Sequence, residues 1–179
     1  MRTLAASLLS LLIAAPLATP LAAQRQKPEP LTDAQQEQIA EAGIDPVARV
    51  DLYVKFLNER ADTIKGLIPR AHTSARSSRL DGELQNFAAL MDELGDNLDV
   101  YSDRKADIRK SLKPLTDSVQ RWQGVLKDLP SEPAFEITRQ DAIESSNDLA
   151  GQAKKITADQ TAYFDLHKDE KGQDRYEPK

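Results

Sequence analysis

From Val47 onward, apolar residues recur at every third or fourth position. Val47, Val50, Val54, Leu57, Ala61, Ile64, Ile68, Ala71 and Ala75 are separated by steps that alternate three and four without exception. That alternation is the seam of a heptad-patterned helix, narrower than an ordinary amphipathic stripe. Asp45 is placed to cap its start, and Pro46 suits the first helical position, where the missing N–H costs nothing. Gly66 and Pro69 interrupt the run. Pro69 clashes with the carbonyl of Lys65, so a kink or break is expected there.

A second run is longer. Leu80, Leu84, Phe87, Met91, Leu94, Leu98, Tyr101, Lys105, Ile108, Leu112, Leu115, Val119, Trp122, Leu126 and Leu129 again alternate steps of four and three, and Lys105 alone among them is polar. The pattern predicts one helix over 81–129, about 73 Å long at 1.5 Å per residue. Gly95 weakens it by about 1 kcal/mol and Pro114 by roughly 3 kcal/mol. Because the phase survives Pro114, a kink near Lys110 is expected rather than a loop.

Two shorter signals flank these runs. Thr32 with Gln35 forms a capping box for a helix ending near Ala42, and Gly43 suits the residue just past its end. Pro130 and Pro133 close the long helix. Thr138 with Asp141 then suggests a second capping box, with Ile137 stapling onto Ala142, for a last helix over 139–168. Its apolar face (Ile143, Leu149, Ala153, Ile156, Tyr163, Phe164) is diluted by Ser145, Ser146, Asn147, Gln152 and Gln160, which makes it the least securely docked long helix. No stretch alternates with period two, so the expected fold is all-α: an antiparallel bundle of long helices with coiled-coil-like heptad seams. The 81–129 helix would be its spine. Arg104, Lys105, Arg109, Lys110 and Lys113 would then lie opposite the start of the second helix, near Asp45 and Asp51.

Met1–Ala23 reads as a cleavable signal peptide. Arg2 supplies a positive start, Leu4–Ala15 an apolar core, and Pro16 and Pro20 precede small residues. The alternative, a retained anchor, needs about 20 apolar residues, and the run to Pro16 is shorter. Gln24 stands where a lipoprotein requires cysteine, so no lipid anchor is expected. Removing 23 of the 179 residues leaves 156, and loss of Arg2 takes the net charge from −5 to −6. Residues 24–31 form a flexible Pro-containing linker, 32–168 a single bundle domain and 169–179 a disordered polar tail. The expected location is extracytoplasmic, periplasmic or secreted, with no stable membrane insertion once the signal is cut.

Composition narrows the chemistry. With 29 acidic against 24 basic residues, the chain is a poor partner for nucleic acid. The lack of cysteine excludes disulfides, thiolate metal sites and cysteine nucleophiles. Asp92/Asp96 and Asp99/Asp103 are spaced four apart on one helix face, but they flank the seam and read as a solvated surface. The reversed pair His167-x-x-Glu170 is the nearest approach to the Glu-x-x-His ligands of di-metal bundles. No nucleophile elbow, phosphate loop or zinc-protease motif occurs, so neither an enzyme nor a cofactor is expected. Arg70, His72, Arg76 and Arg79 lie in an acid-free run, Pro69–Arg79, and are candidates for an anion or partner contact; the plainer reading is a cationic helix end.

Leu31-Thr32-Asp33-Ala34-Gln35 resembles the L-T-x-x-Q motif of small periplasmic helical stress chaperones, which implies a concave helical surface for unfolded clients. The match covers five residues and one copy of the motif, and Gly43 with Asp45-Pro46 ends the helix early. The leading expectation is a non-enzymatic helical protein that works by contact with a protein partner or by self-association. The alternatives are a chaperone-like client binder, and a small-ligand or metal-binding bundle centred near His167 and Tyr163.

Overall fold

The structure, a computed structural model, describes residues 28–168. The expected signal peptide, residues 24–27 of the linker and the tail at 169–179 lie outside the described residues. These contain five helices and no strand: α1 (Asp33–Glu41), α2 (Pro46–Leu67), α3 (Ser74–Asp103), α4 (Arg109–Lys127) and α5 (Glu136–Leu166). The fold is all-α, with the helices packed against one another. None of them is long and apolar enough to cross a membrane.

Local chemistry sets the first boundaries as the sequence suggests. Thr32 Oγ1 accepts from the Gln35 amide while the Gln35 side chain accepts from the Thr32 amide, completing the capping box. Gly43 follows with φ +60°, a conformation that side chains disfavour. Asp45 Oδ1 accepts from the amides of Val47 and Ala48, and Pro46 sits in the first turn of α2. That helix ends at Leu67, two residues before Pro69, so the expected seam stops early: Ala71 and Ala75 are exposed. Tyr53, Phe56 and Leu67 are buried beside it, widening the apolar face.

The spine is not one helix. The chain breaks over 104–108, and α3 and α4 become separate elements. The Lys105 amide donates to the Ser102 carbonyl (3.1 Å) and the Ala106 amide to the Tyr101 carbonyl (2.9 Å). This is the paired closure of a Schellman motif, with Lys105 in the left-handed position at φ +58°. An L-residue there is disfavoured by about 1–2 kcal/mol, and Lys105 is the polar position of the seam. Pro114 lies inside α4 without making a loop. The expected continuous helix is therefore corrected: the stop is at Lys105. Even so, all fourteen apolar positions of the seam from Leu80 to Leu129 are buried.

Hydrogen bonds between helices fix the topology. α2 and α3 are antiparallel, linked by Tyr53–Glu93 (2.6 Å) and Arg60–Glu83 (3.1 Å). α4 runs parallel to α2: Ser111 donates to Asp51 and Trp122 Nε1 to Asn58, both at 2.7 Å. α5 runs parallel to α3 and antiparallel to α4, with Thr138 donating to Asp81 at one end and Gln160 to the Ala106 carbonyl at the other. Contacts run α2–α3, α3–α5, α5–α4 and α4–α2, so α3 and α4 occupy opposite corners and the 104–108 corner crosses one end of the bundle diagonally. The start of α4 lies beside α2 through Ser111 and Asp51, but Lys105 and Arg109 turn to α5, over the Tyr163 and Phe164 rings, rather than to Asp45 and Asp51.

The last helix departs most from expectation. It starts at Glu136, Thr138 sits inside its first turn, and Ile137 is exposed rather than stapled. It packs against both α3 and α4. Its buried positions include Thr138, Ser146 and Gln160, each hydrogen-bonded, so two of the five residues that diluted its apolar pattern, Ser146 and Gln160, lie within its seam, while Asn147 is exposed. α1 packs only on α2. Of the expected linker, residues 28–31 lie against the bundle: the Glu29 amide donates to Asn86, Arg60 Nη2 donates to the Pro30 carbonyl, and Leu31 is buried.

Candidate functional site

The four residues singled out in the sequence divide into two pairs. Arg76 is nearly fully buried. Its Nε donates to the Leu67 carbonyl (2.9 Å) and its Nη2 to the Ile68 carbonyl (3.1 Å), closing the C-terminal end of α2. Its Nη1 reaches Glu132 Oε1 at 2.8 Å. The exposed His72 approaches the same carboxylate through Nδ1 at 3.0 Å, and Ser77 Oγ donates to its other oxygen. The Arg76 guanidinium, helped by the Ser77 hydroxyl and His72, holds the Glu132 carboxyl below its usual range despite partial desolvation. Arg70, which donates to the Gly66 carbonyl in the last turn of α2, and Arg79 are exposed and stand outside this cluster. Sequence reasoning missed Glu132. Its only signal was an acid within a proline-bounded loop.

His167 and Tyr163 form a local stack. Their rings lie 4.2 Å apart, and His167 Nδ1 is 2.7 Å from the Tyr163 carbonyl oxygen. Phe164 packs edge-on against Tyr163, and Lys105 Nζ lies 5.7 Å from its ring centre. Among the described residues, no three His, Asp or Glu side chains gather as a metal-holding group. Tyr53 is buried, and burial together with its 2.6 Å bond to Glu93 pushes its phenol well above the ordinary value.

Two clefts flank α5 on its outer face. The cleft on the α3 side, about 480 Å³, has Met91 and Leu149 beneath Asp92, Asp96, Asp99 and Asp148. Gln152 bridges its walls, donating to the Gly95 carbonyl (2.9 Å) and Asp99 (2.7 Å). The cleft on the α4 side, about 660 Å³, is lined by Thr116, Val119, Gln120 and Gln123 of α4 and by Ala150, Lys154, Thr157, Ala158, Thr161 and Ala162 of α5. Thr116, Thr157 and Thr161 each donate a hydroxyl to the carbonyl four residues back (2.7–2.8 Å). With the hydroxyls turned onto their own helices, these threonines offer methyl groups and behave like valines. Gln123 closes one end, donating to Asn147 and to the Ser146 carbonyl. The result is a mainly apolar furrow, with Gln120, Gln123 and Lys154 also in its lining, about 18 Å long over residues 150–162. Its lining joins an alanine- and threonine-rich row of α5 to Thr116, Val119, Gln120 and Gln123 of α4, which no one-dimensional pattern brings together. No protein-family model, curated protein or solved structure matches the chain.

Proposed function

We propose that this chain is a non-enzymatic helical protein, extracytoplasmic once Met1–Ala23 is removed, that works by holding a protein partner on its surface. Burial of the full Leu80–Leu129 apolar row supports coiled-coil-like seams inside the bundle. The observation that carries the functional reading is the apolar furrow between α4 and α5. Apolar side chains of a partner laid into such a groove would gain about 25 cal/mol for each Å² of apolar surface they bury. The furrow is open along its length and suits a row of apolar side chains from a partner segment. The acidic cleft across α5 would favour partners with basic residues beside that row.

The test is photo-cross-linking in the envelope fraction. Probes at Gln120 and Ala158, both exposed beside the furrow, should capture a partner that a probe at Asp62, on α2, does not. Ala158→Trp fills the furrow without touching the core and should abolish capture while the fold persists. Equal capture from Asp62, or capture undiminished by Ala158→Trp, would remove the reading. Suppression of client aggregation by the same face, lost in Ala158→Trp, would instead favour the chaperone-like alternative.

A further inference from the structure

We infer that two copies of this chain exchange their α4–α5 hairpins by straightening the 104–108 corner, giving a dimer in which α3 and α4 form one continuous helix. Three independent features meet at that corner.

The first is the phase of the seam. Tyr101, Lys105, Ile108 and Leu112 keep the three–four spacing through the break, so a helix running straight across it would leave every apolar residue on the same face. Nothing in the heptad pattern records the corner except Lys105 itself.

The second is the weakness of the stop. Residues 104–108 contain neither glycine nor proline, and the left-handed position is filled by a lysine at φ +58°. Ile108 gives the start of α4 no side-chain cap, and the local side-chain tie to the backbone there is Asp107 Oδ1, which accepts from the Arg109 amide (3.1 Å). Beyond its two local Schellman bonds, the corner is held from outside: Gln160 Nε2 donates to the Ala106 carbonyl (2.8 Å), and Gln160 Oε1 accepts from the Ile108 amide (3.1 Å). In a continuous helix both backbone groups find partners within the helix. A short hinge whose conformation is held by tertiary contacts is the common setting for exchange of identical elements.

The third is the surface at that end of the bundle. Four large hydrophobics are exposed among the described residues, and three of them lie here: Ile44 (79%) before α2, Val100 (43%) near the end of α3 and Leu166 (83%) at the end of α5. Straightening the corner makes a helix from Ser74 to Lys127, about 81 Å long, and sets two bundles end to end across this face. Each bundle then contains α2 and α3 of one copy with α4 and α5 of the other. Every α2–α4 and α3–α5 contact is remade between chains, and the three aliphatic side chains gain a covering surface.

Residues 24–179 should yield monomer and dimer fractions after refolding at high concentration, separable by gel filtration with light scattering. Because the chain lacks cysteine, Asp51→Cys with Ser111→Cys places one thiol pair where α2 meets α4. Oxidation should give chain-length monomers from the monomer fraction and covalent dimers from the dimer fraction. Lys105→Gly, which eases the left-handed turn, should lower the dimer-to-monomer ratio, and Lys105→Ala, which favours helix, should raise it. The two variants should differ about tenfold or more. A dimer fraction that oxidises to single chains would show end-to-end docking without exchange and overturn the inference. So would a chain that stays monomeric throughout, or a ratio indifferent to residue 105.

Discussion

Gln160→Leu isolates the contact that holds the α3–α4 corner. The substitution keeps the size of a side chain that is only 4% exposed, and removes two hydrogen bonds at once. The groups left behind are the Ala106 carbonyl and the Ile108 amide, on residues with no exposed surface. An unpaired buried backbone group costs about 1–3 kcal/mol, so the pair costs about 2–6 kcal/mol. Burying a leucine in place of an amide offsets about 1–2 kcal/mol of this. The expected net loss is about 0–5 kcal/mol, centred on about 2–3 kcal/mol. Urea unfolding followed by the fluorescence of Trp122 measures it: at an m-value of about 2 kcal/mol/M the midpoint falls by about 1–1.5 M, with the slope unchanged. Gln152→Leu is the control. Gln152 lies eight residues earlier on the same helix, half-buried, and its loss leaves no comparable pair of buried backbone groups. If Gln160→Leu costs no more than Gln152→Leu, the corner is not held by Gln160 and the reasoning fails.

Other outcomes follow from single contacts. Arg139, with Gln140 and Ser131, holds the Glu136 carboxyl down to about 2. A folded-state value below the unfolded one gives stability that is present above about pH 4.3 and lost as the pH falls towards 2. Urea midpoints between pH 5 and 2.5 should therefore fall more gently in Glu136→Gln than in the parent, and parallel curves would refute the assignment. Pro114 leaves the Lys110 carbonyl without its usual amide partner, so Pro114→Ala should raise stability by about 1–3 kcal/mol, seen as a higher melting temperature; a lower one would mean that the proline ring is needed where it packs. Asn58→Leu removes the acceptor for Trp122 Nε1. It should shift the native emission to shorter wavelength and lower stability by about 1–3 kcal/mol; unchanged emission would show that the indole N–H is not bonded there.

The sequence exposed the core far better than the connections. Burial of the Leu80–Leu129 row was readable because heptad spacing is a local property of the chain and a buried helix must obey it. The break at Lys105 was not readable. Schellman closures are usually marked by glycine, and here the left-handed residue is a lysine, with the next carbonyl, that of Ala106, held by a glutamine 54 residues away. The α5 pattern looked weak for a related reason: Ser146 and Gln160 are core residues whose polar atoms are satisfied by partners the sequence does not place beside them. Of the candidate site residues, Arg76 read as part of a cationic helix C-terminus, but it lies in the first turn of α3 and closes the end of α2 from there, a role set by tertiary geometry. The α4–α5 furrow had no one-dimensional signature, since threonines that turn their hydroxyls inward still read as polar.

The attachment of α1 sets a hierarchy of opening rates. The helix buries only Ile39 of its own side chains, with Leu31 just ahead of it. Arg49 reaches the Ile39 and Gly43 carbonyls from α2, and Arg60 reaches those of Glu29 and Pro30. Neutral carbonyl partners leave these ties little affected by ionic strength. Amides of α1 should therefore exchange with deuterated solvent through brief detachment of a nine-residue arm, while those of α3 and α4 wait for the whole bundle to unfold. The protein then has two clocks, and the faster one runs at its amino-terminal edge.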